Sequence, residues 1–237
     1  MSDPGQVSDS GQVSNAGQVS NAGRSTVMTG REEFHQRLKE QAAGVLPPGE
    51  TLLDSHVMDA AESMPRPRRK LCPVVFPGQR MAGDRPVTWL MSVLAITALV
   101  QGFAPIDDLY DRLERDSSKD KPFFGGWRSA AGRMALPFFP RAKTGVAKVM
   151  LVTGHRFLLV HVQHSLIGKR IGPHVAVAWS ADRRETSWVR NRRDVRPGTY
   201  EIGFADGSWA TVFIGAQGWS RFERAFGRQL GPADPIP

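Results

Sequence analysis

Two hairpin signals in the last third of this 237-residue chain constrain its fold more than any other feature. The first is VMLVT at 149–153 and FLLV at 157–160, apolar and partly β-branched, with Gly154-His155 at the spacing of a tight hairpin. A near-continuous apolar run predicts strands covered, at least in part, on both faces. The second is YEIGF at 200–204, the turn Ala205-Asp206-Gly207, and SWATVFI at 208–214. Asp-Gly supplies the positive φ that tight turns need. Tyr200, Ile202 and Phe204 share one face by period two, and so do Ala210, Val212 and Ile214. Two weaker strands, 174–180 and 185–190, lie between the hairpins, joined by the polar turn 181–184. After Gly218 the period lengthens. Trp219, Phe222, Phe226 and Leu230 fall three to four apart, the stripe of an amphipathic helix, with Ser220 or Gln217-Gly218 at its start.

A VTxxR hairpin (Val152-Thr153-Gly154-His155-Arg156), middle strands, an F-x-DGS hairpin (Phe204-Ala205-Asp206-Gly207-Ser208) and a closing Phe222/Phe226 helix come in that order. This order resembles the bacterial pleckstrin-homology-like (PH-like) domains. The resemblance implies an α+β chain whose residues 147–231 form a small, bent antiparallel β-barrel or sandwich closed by a C-terminal amphipathic helix. The family usually has seven strands, and six are legible in this stretch. Members often place Pro-Gly-Glu before their first strand. Pro48-Gly49-Glu50, followed by Thr51-Leu52-Leu53, looks like that, but about ninety residues then intervene before Lys148. Either this distant segment supplies the first strand, or the match is chance.

The rest of the chain divides by composition. Residues 1–28 carry the hexads GQVSDS, GQVSNA and GQVSNA, whose Gly, Ser, Asn and Gln bury too little apolar surface to offset ordering entropy. A disordered tail is expected, and it lacks the charged start and apolar run of a signal peptide. Residues 29–146 read as a mostly helical region. A short charged helix spans 31–44, with Thr29 as its cap and Gly44 as its stop. Pro47-Pro48-Gly49 breaks the chain, and 51–61 fits strand or helix. Arg66-Pro67-Arg68-Arg69-Lys70 is a basic linker, open to a solvated role or to a phosphate or headgroup contact. Residues 86–106 hold 21 residues without a charge, long enough to span a membrane. Thr88, Ser92, Thr97 and Gln101 interrupt this stretch. Arg80 and Arg85 precede it and Asp107, Asp108 and Asp111 follow it, which by the positive-inside rule would put the β-rich region outside the cell. A buried core helix over 87–104 is therefore expected. A helix over 106–113, a short helix over 128–134 between two aromatic connectors, and a tail at 232–237 complete the reading.

Lys and Arg number 31 against 23 Asp and Glu, and the excess is unevenly placed. Residues 1–140 carry 16 of each sign, whereas 141–237 carry 15 basic and 7 acidic side chains. A one-sided excess is a solubilising surface or a footprint for an anionic partner. The lone Cys72 excludes an internal disulfide and a cysteine-rich metal site, and fits a reducing, cytoplasmic compartment. No GxxxxGK[ST], HExxH or GxSxG occurs, so neither a catalytic constellation nor a cofactor is expected. His155, His161 and His164 cluster in sequence, but a hairpin separates His155 from the others, which excludes a metal centre built on them.

The candidate site is basic. Lys169 and Arg170 follow the first hairpin, and Arg190, Arg192, Arg193 and Arg196 precede Tyr200, with Asp194 among them. In a PH-like barrel these two loops converge at one rim, where guanidinium forks suit phosphate oxygens. The expected function is a non-enzymatic binding or scaffolding module that recognises an anionic membrane surface or a protein partner, cytoplasmic or membrane-associated. The alternatives are a nucleic-acid-binding protein using the same patch, and a single-pass membrane protein carrying a soluble β domain. Only Trp188 stands near the arginines, which argues against single-strand stacking.

Overall fold

The computed structural model describes residues 30–81, 122–166, 169–214 and 219–237. Their elements in chain order are α1 (Gly30–Ala43), β1 (Leu52–Ala60), β2 (Phe123–Phe124), α2 (Ala130–Ala135) running into a 3-10 turn (Leu136–Phe138), β3 (Gly145–Thr153), β4 (Arg156–His164), β5 (Ile171–Asp182), a second 3-10 turn (Arg183–Glu185), β6 (Thr186–Asn191), β7 (Thr199–Phe204), β8 (Trp209–Ile214), α3 (Trp219–Arg224) and β9 (Gln229–Leu230). The tail at 1–28 and the expected helices over 87–104 and 106–113 lie outside the described residues.

β3 and β4 pair antiparallel from Gly145↔His164 to Val152↔Phe157, with Gly154-His155 in the turn. The two-residue period sorts their side chains. Val149, Leu151, Leu158, Val160 and Val162 face one way and pack on Leu38 and Ala42 of α1. Met150, Val152, Phe157 and Leu159 face the other way into the larger core. Both faces are covered, which is why these strands read as unbroken apolar runs. In α1, Phe34, Leu38 and Ala42 recur at four-residue spacing and form its sheet-facing stripe. Gln41 Nε2 then donates to the carbonyl of Gly172 at 2.6 Å, tying the helix to β5.

β1 settles the ambiguity of 51–61 in favour of a strand. It pairs with β3 from Leu52↔Thr153 to Met58↔Lys148, and on its other side Met58–Ala60 pairs with β8. The nine-stranded sheet runs β5-β4-β3-β1-β8-β7-β6-β9, with β2 added against β8. β1 therefore joins two arms of the sheet, and the sheet extends across the division at 147. The arms bend toward each other: Trp179 of β5 meets Phe204 of β7 edge-on at 6.2 Å. Tyr200, Ile202, Phe204, Val212 and Ile214 fill the hollow from one arm, opposite Met150, Val152, Phe157 and Leu159 from the other.

The architecture is α+β and mostly sheet, but the expected barrel does not close. β6 spends its outer edge on β9, which runs parallel to it at Val189 and Arg190, so that edge is not open to β5. The C-terminal stripe is also shorter than its spacing suggested. α3 ends at Arg224. Phe222 and Phe226 plug the hollow, where Phe226 stacks on Phe157 with centroids 4.9 Å apart. Leu230 belongs to β9 and packs with Trp188 and Trp209, so its fit to the helical period was fortuitous.

The second hairpin carries an extra device. Gly207 takes φ 77°, as the Asp-Gly turn requires. Asp206 Oδ2 accepts from the Ala130 N–H at 2.8 Å and Ser208 Oγ from the Ala131 N–H at 3.0 Å. The turn thus supplies acceptors for the first free N–H groups of α2, alongside the Ser129 cap. α2 lies in the segment between β1 and β3, and its Ala131, Met134 and Ala135 are sealed into the core.

Candidate binding surface

The arginine run before Tyr200 sits where β6 ends and β7 begins. Arg190 and Glu201 are cross-strand partners, so their side chains emerge side by side on one face of the sheet. Arg190 reaches Glu201 Oε2 through Nε at 2.6 Å, and Arg192 reaches Glu201 Oε1 through Nη1 at 2.6 Å. Relative exposures of 9% for Arg190, 6% for Arg192 and 2% for Glu201 place the trio out of solvent. Arg190 also donates to the Asp234 carbonyl at 3.0 Å, and Arg192 Nε to Asp194 Oδ1 at 3.1 Å. The Arg192 fork holds the Asp194 carboxyl below its ordinary range. A buried carboxylate shared by two guanidiniums fixes the loop, and these two arginines do not face solvent as a phosphate rim would need.

Arg193 and Arg196 are displayed instead. Arg193 is exposed, and its backbone N–H donates to Asn191 Oδ1 at 3.0 Å. Arg196 is half exposed, stands 4.4 Å above the ring of Phe213 and forms an ion pair with Glu62. Arg196, Glu62 and Phe213, with Asp59, Thr199 and Thr211, line an open cavity of about 610 Å³ that Arg192 and Glu201 also line.

Lys169 and Arg170 are exposed on the turn between β4 and β5, on the other arm. Lys169 Nζ lies 3.2 Å from where a Cβ on Gly30 would stand, beside the start of α1. Burial first, and then the charges of Arg31, Lys39 and Lys169, depress the pKa of His35, so Lys169 belongs to a positive patch with α1. Strands β3, β1 and β8 stand between this patch and the 190–196 loop in the sheet order. The structure brings the four arginines onto one loop and sets Lys169 and Arg170 apart from them.

Other candidates resolve into structural parts. His161 is buried and its Nε2 lies 2.7 Å from the Pro137 carbonyl. His164 Nδ1 contacts the Ser165 carbonyl at 2.8 Å. Among the described residues, no three His, Cys, Asp or Glu side chains group closely enough to hold a metal ion. Cys72 is half-buried, with Sγ 3.7 Å from the Arg68 carbonyl. No described helix is long and apolar enough to cross a membrane.

Sequence reasoning missed the acidic partners of the arginines, Glu201 and Glu62, which are distant or unremarkable in sequence. It read the basic run at 66–70 but passed over the residues that follow it. Residues 73–79 run beside β5 and enclose with it a groove of about 490 Å³ that has no charged residue in its lining. Phe76 in its wall is the one non-glycine described residue with positive φ, at 50°. The absence of any Asp or Glu from Ser63 to Arg80 was the available signal. Comparison of the chain with protein-family models, with curated proteins and with solved structures gives no match.

Proposed function

We propose that the chain is a non-enzymatic binding module of PH-like type that recognises an anionic membrane surface. The PH-like part of this reading is supported by the strand count: β1 and β3 to β8 make seven long strands, and α3 follows the last of them. It is supported further by Pro48-Gly49-Glu50, which directly precedes β1, the strand that pairs with the VTxxR hairpin.

The observation that carries the function is the split within the 190–196 run. Glu201 pairs with the two inner arginines and fixes their loop, while Arg196 lines an open cavity and Arg193 is exposed on the same loop. Docking there is electrostatic: guanidinium forks replace counterions at phosphate oxygens, and no bond is made or broken. Pelleting of the full chain with phosphatidylcholine vesicles, with and without phosphatidylglycerol, tests it. R193Q/R196Q is expected to bind more weakly to the anionic vesicles at low salt and to differ little from the parent at high salt. Equal binding by parent and variant at every ionic strength removes these residues from the interface.

A protein partner is the second reading, favoured by the uncharged groove along β5. β5 carries an extra residue between Val177 and Trp179 in its pairing with β4 and a proline at Pro173, both of which discourage an added strand. Such a partner would insert apolar side chains rather than extend the sheet.

A further inference from the structure

The segment between β1 and the wall of the β5 groove is held at both ends and bare in the middle. At one end Met64 is sealed in the main core. At the other, Val75 and Phe76 are buried, and the Val75 N–H donates to the Arg141 carbonyl at 3.0 Å while the Arg141 N–H donates to the Pro73 carbonyl at 2.8 Å. Between these anchors the Leu71 N–H closes a turn on the Arg68 carbonyl at 2.8 Å. The loop therefore has a fixed shape. It exposes Arg66, Arg68, Arg69 and Lys70, and beside them Leu71 at 45% and Val74 at 58%.

None of these four cations has an ion-pair partner among the described residues. The nearest preceding acid, Glu62, is engaged by Arg196. The apolar members are not isolated either, because Val74 shares the walls of the β5 groove with Val177, itself 49% exposed. The cations are well hydrated in water but the aliphatic side chains beside them are not, and the two halves together match a partner that is anionic at its surface and apolar beneath it. At an anionic bilayer the cations meet phosphates while the aliphatic groups enter the acyl boundary.

We propose that the loop at 65–74 is a membrane-contact surface, with Arg66, Arg68, Arg69 and Lys70 on the headgroups and Leu71 and Val74 inserted among the acyl chains of a bilayer containing anionic lipid. This rests on the membrane reading above but uses different residues. A nucleic acid would satisfy the charges and leave Leu71 and Val74 in water, so the aliphatic pair separates the two partners. The loop adds two aliphatic anchors to the single exposed Val195 of the 190–196 rim.

The test uses the full chain and the same two vesicle compositions, with duplex DNA as a control probe. Two variants, R68Q/R69Q/K70Q and L71S/V74S, change exposed positions, so their Tm is expected to match that of the parent. Removing the charges is expected to weaken binding to phosphatidylglycerol vesicles by roughly fivefold each, about a hundredfold for three. L71S/V74S is expected to weaken vesicle binding several-fold at low and high salt alike, with no effect on any DNA binding. Loss of binding on R193Q/R196Q with full binding by both loop variants overturns this inference and leaves the cavity rim standing. Failure of the parent to bind anionic vesicles at all overturns both. Binding to DNA that falls with R68Q/R69Q/K70Q, together with vesicle binding indifferent to L71S/V74S, assigns the loop to nucleic acid instead.

Discussion

The carboxylate of Glu50 receives both arms of the Arg156 guanidinium, Nε at 2.9 Å and Nη2 at 2.6 Å, across 106 residues of sequence. Thr153 completes the unit. Its Oγ1 donates to Glu50 Oε1 at 2.8 Å and accepts from the Arg156 N–H at 3.1 Å. The spacing of Thr and Arg around Gly154-His155 is thus set by a hydroxyl that spans the turn and a fork that reaches the chain entering β1. The Arg156 hydrogen bonds, followed by that of Thr153, hold the Glu50 carboxyl below its ordinary range. A depressed carboxylate pKa stabilises the fold above the unfolded value, and that stability is lost as pH falls through the folded one. E50Q is accordingly expected to melt below the parent at neutral pH, with the gap in Tm closing in acid below the ordinary glutamate range. A gap that stays constant across that range would show that charge plays no part in the junction.

The Arg190–Glu201–Arg192 trio gives a second expectation. Removing the shared carboxylate leaves the buried Arg190 guanidinium without its counter-charge and Arg192 with that of Asp194, a defect that costs about 3–5 kcal/mol. E201Q should therefore lower unfolding free energy by about that amount in denaturant melts. R193Q, three positions past Arg190 and exposed, should change stability by no more than about 0.5 kcal/mol. Similar effects from the two variants would mean that the ion pairs in the 190–196 loop do not hold it.

How much of this was legible follows from which forces are local. Gly154-His155 and Asp206-Gly207 announce their turns through backbone preferences of the residues themselves, so both hairpins were readable. The strands between them were readable too, because period two survives on any half-buried sheet. Leu52–Ala60 was not assignable, since its partner β3 lies about ninety residues on and nothing local chooses strand over helix. The arginine run was readable as charge and unreadable as geometry. Whether Arg190 faces solvent depends on Glu201 standing opposite it across a strand pair, and register is a tertiary quantity. The barrel failed to close for a similar reason: Gln229-Leu230 takes the edge of β6, a pairing that two residues cannot signal.

The Asp206-Gly207-Ser208 turn is expected to hold α2 in place. Partial desolvation acts to raise the Asp206 pKa, but donation from the Ala130 N–H and from Ser208 outweighs that and leaves it lowered. Its replacement by Ala leaves the Ala130 N–H without its acceptor, a loss of about 1 kcal/mol by comparison with N-cap removals. Hydrogen exchange is the direct measurement. D206A should speed exchange at the Ala130 amide while the β3 and β4 amides keep the protection of the parent. Uniform acceleration throughout would point to global destabilisation, and no change would show that Ser129 and Ser208 suffice to cap the helix.

Acid should act on the core through two histidines. His161 is buried against the Pro137 carbonyl, and His56 is buried against Phe222 with its Nε2 3.0 Å from Asp54 Oδ2. Burial dominates at both and lowers their pKa; Asp54 opposes it at His56, and the Pro137 hydrogen bond opposes it at His161. The folded state therefore keeps both rings neutral to a lower pH than the unfolded chain does. The sign follows: above the unfolded value of about 6.5 neither state binds the extra proton, and below it the unfolded state binds protons that the folded state refuses. Stability should fall as pH drops from about 6.5, by up to about 1.4 kcal/mol per pH unit for each group. H161Q keeps a donor for the Pro137 carbonyl and removes one titrating ring. Its unfolding free energy, measured against pH, should fall less steeply below about 6.5 than that of the parent, by one proton's worth of slope. A slope equal to the parent's would mean that His161 takes up its proton in the folded state as readily as in the unfolded chain, against its burial.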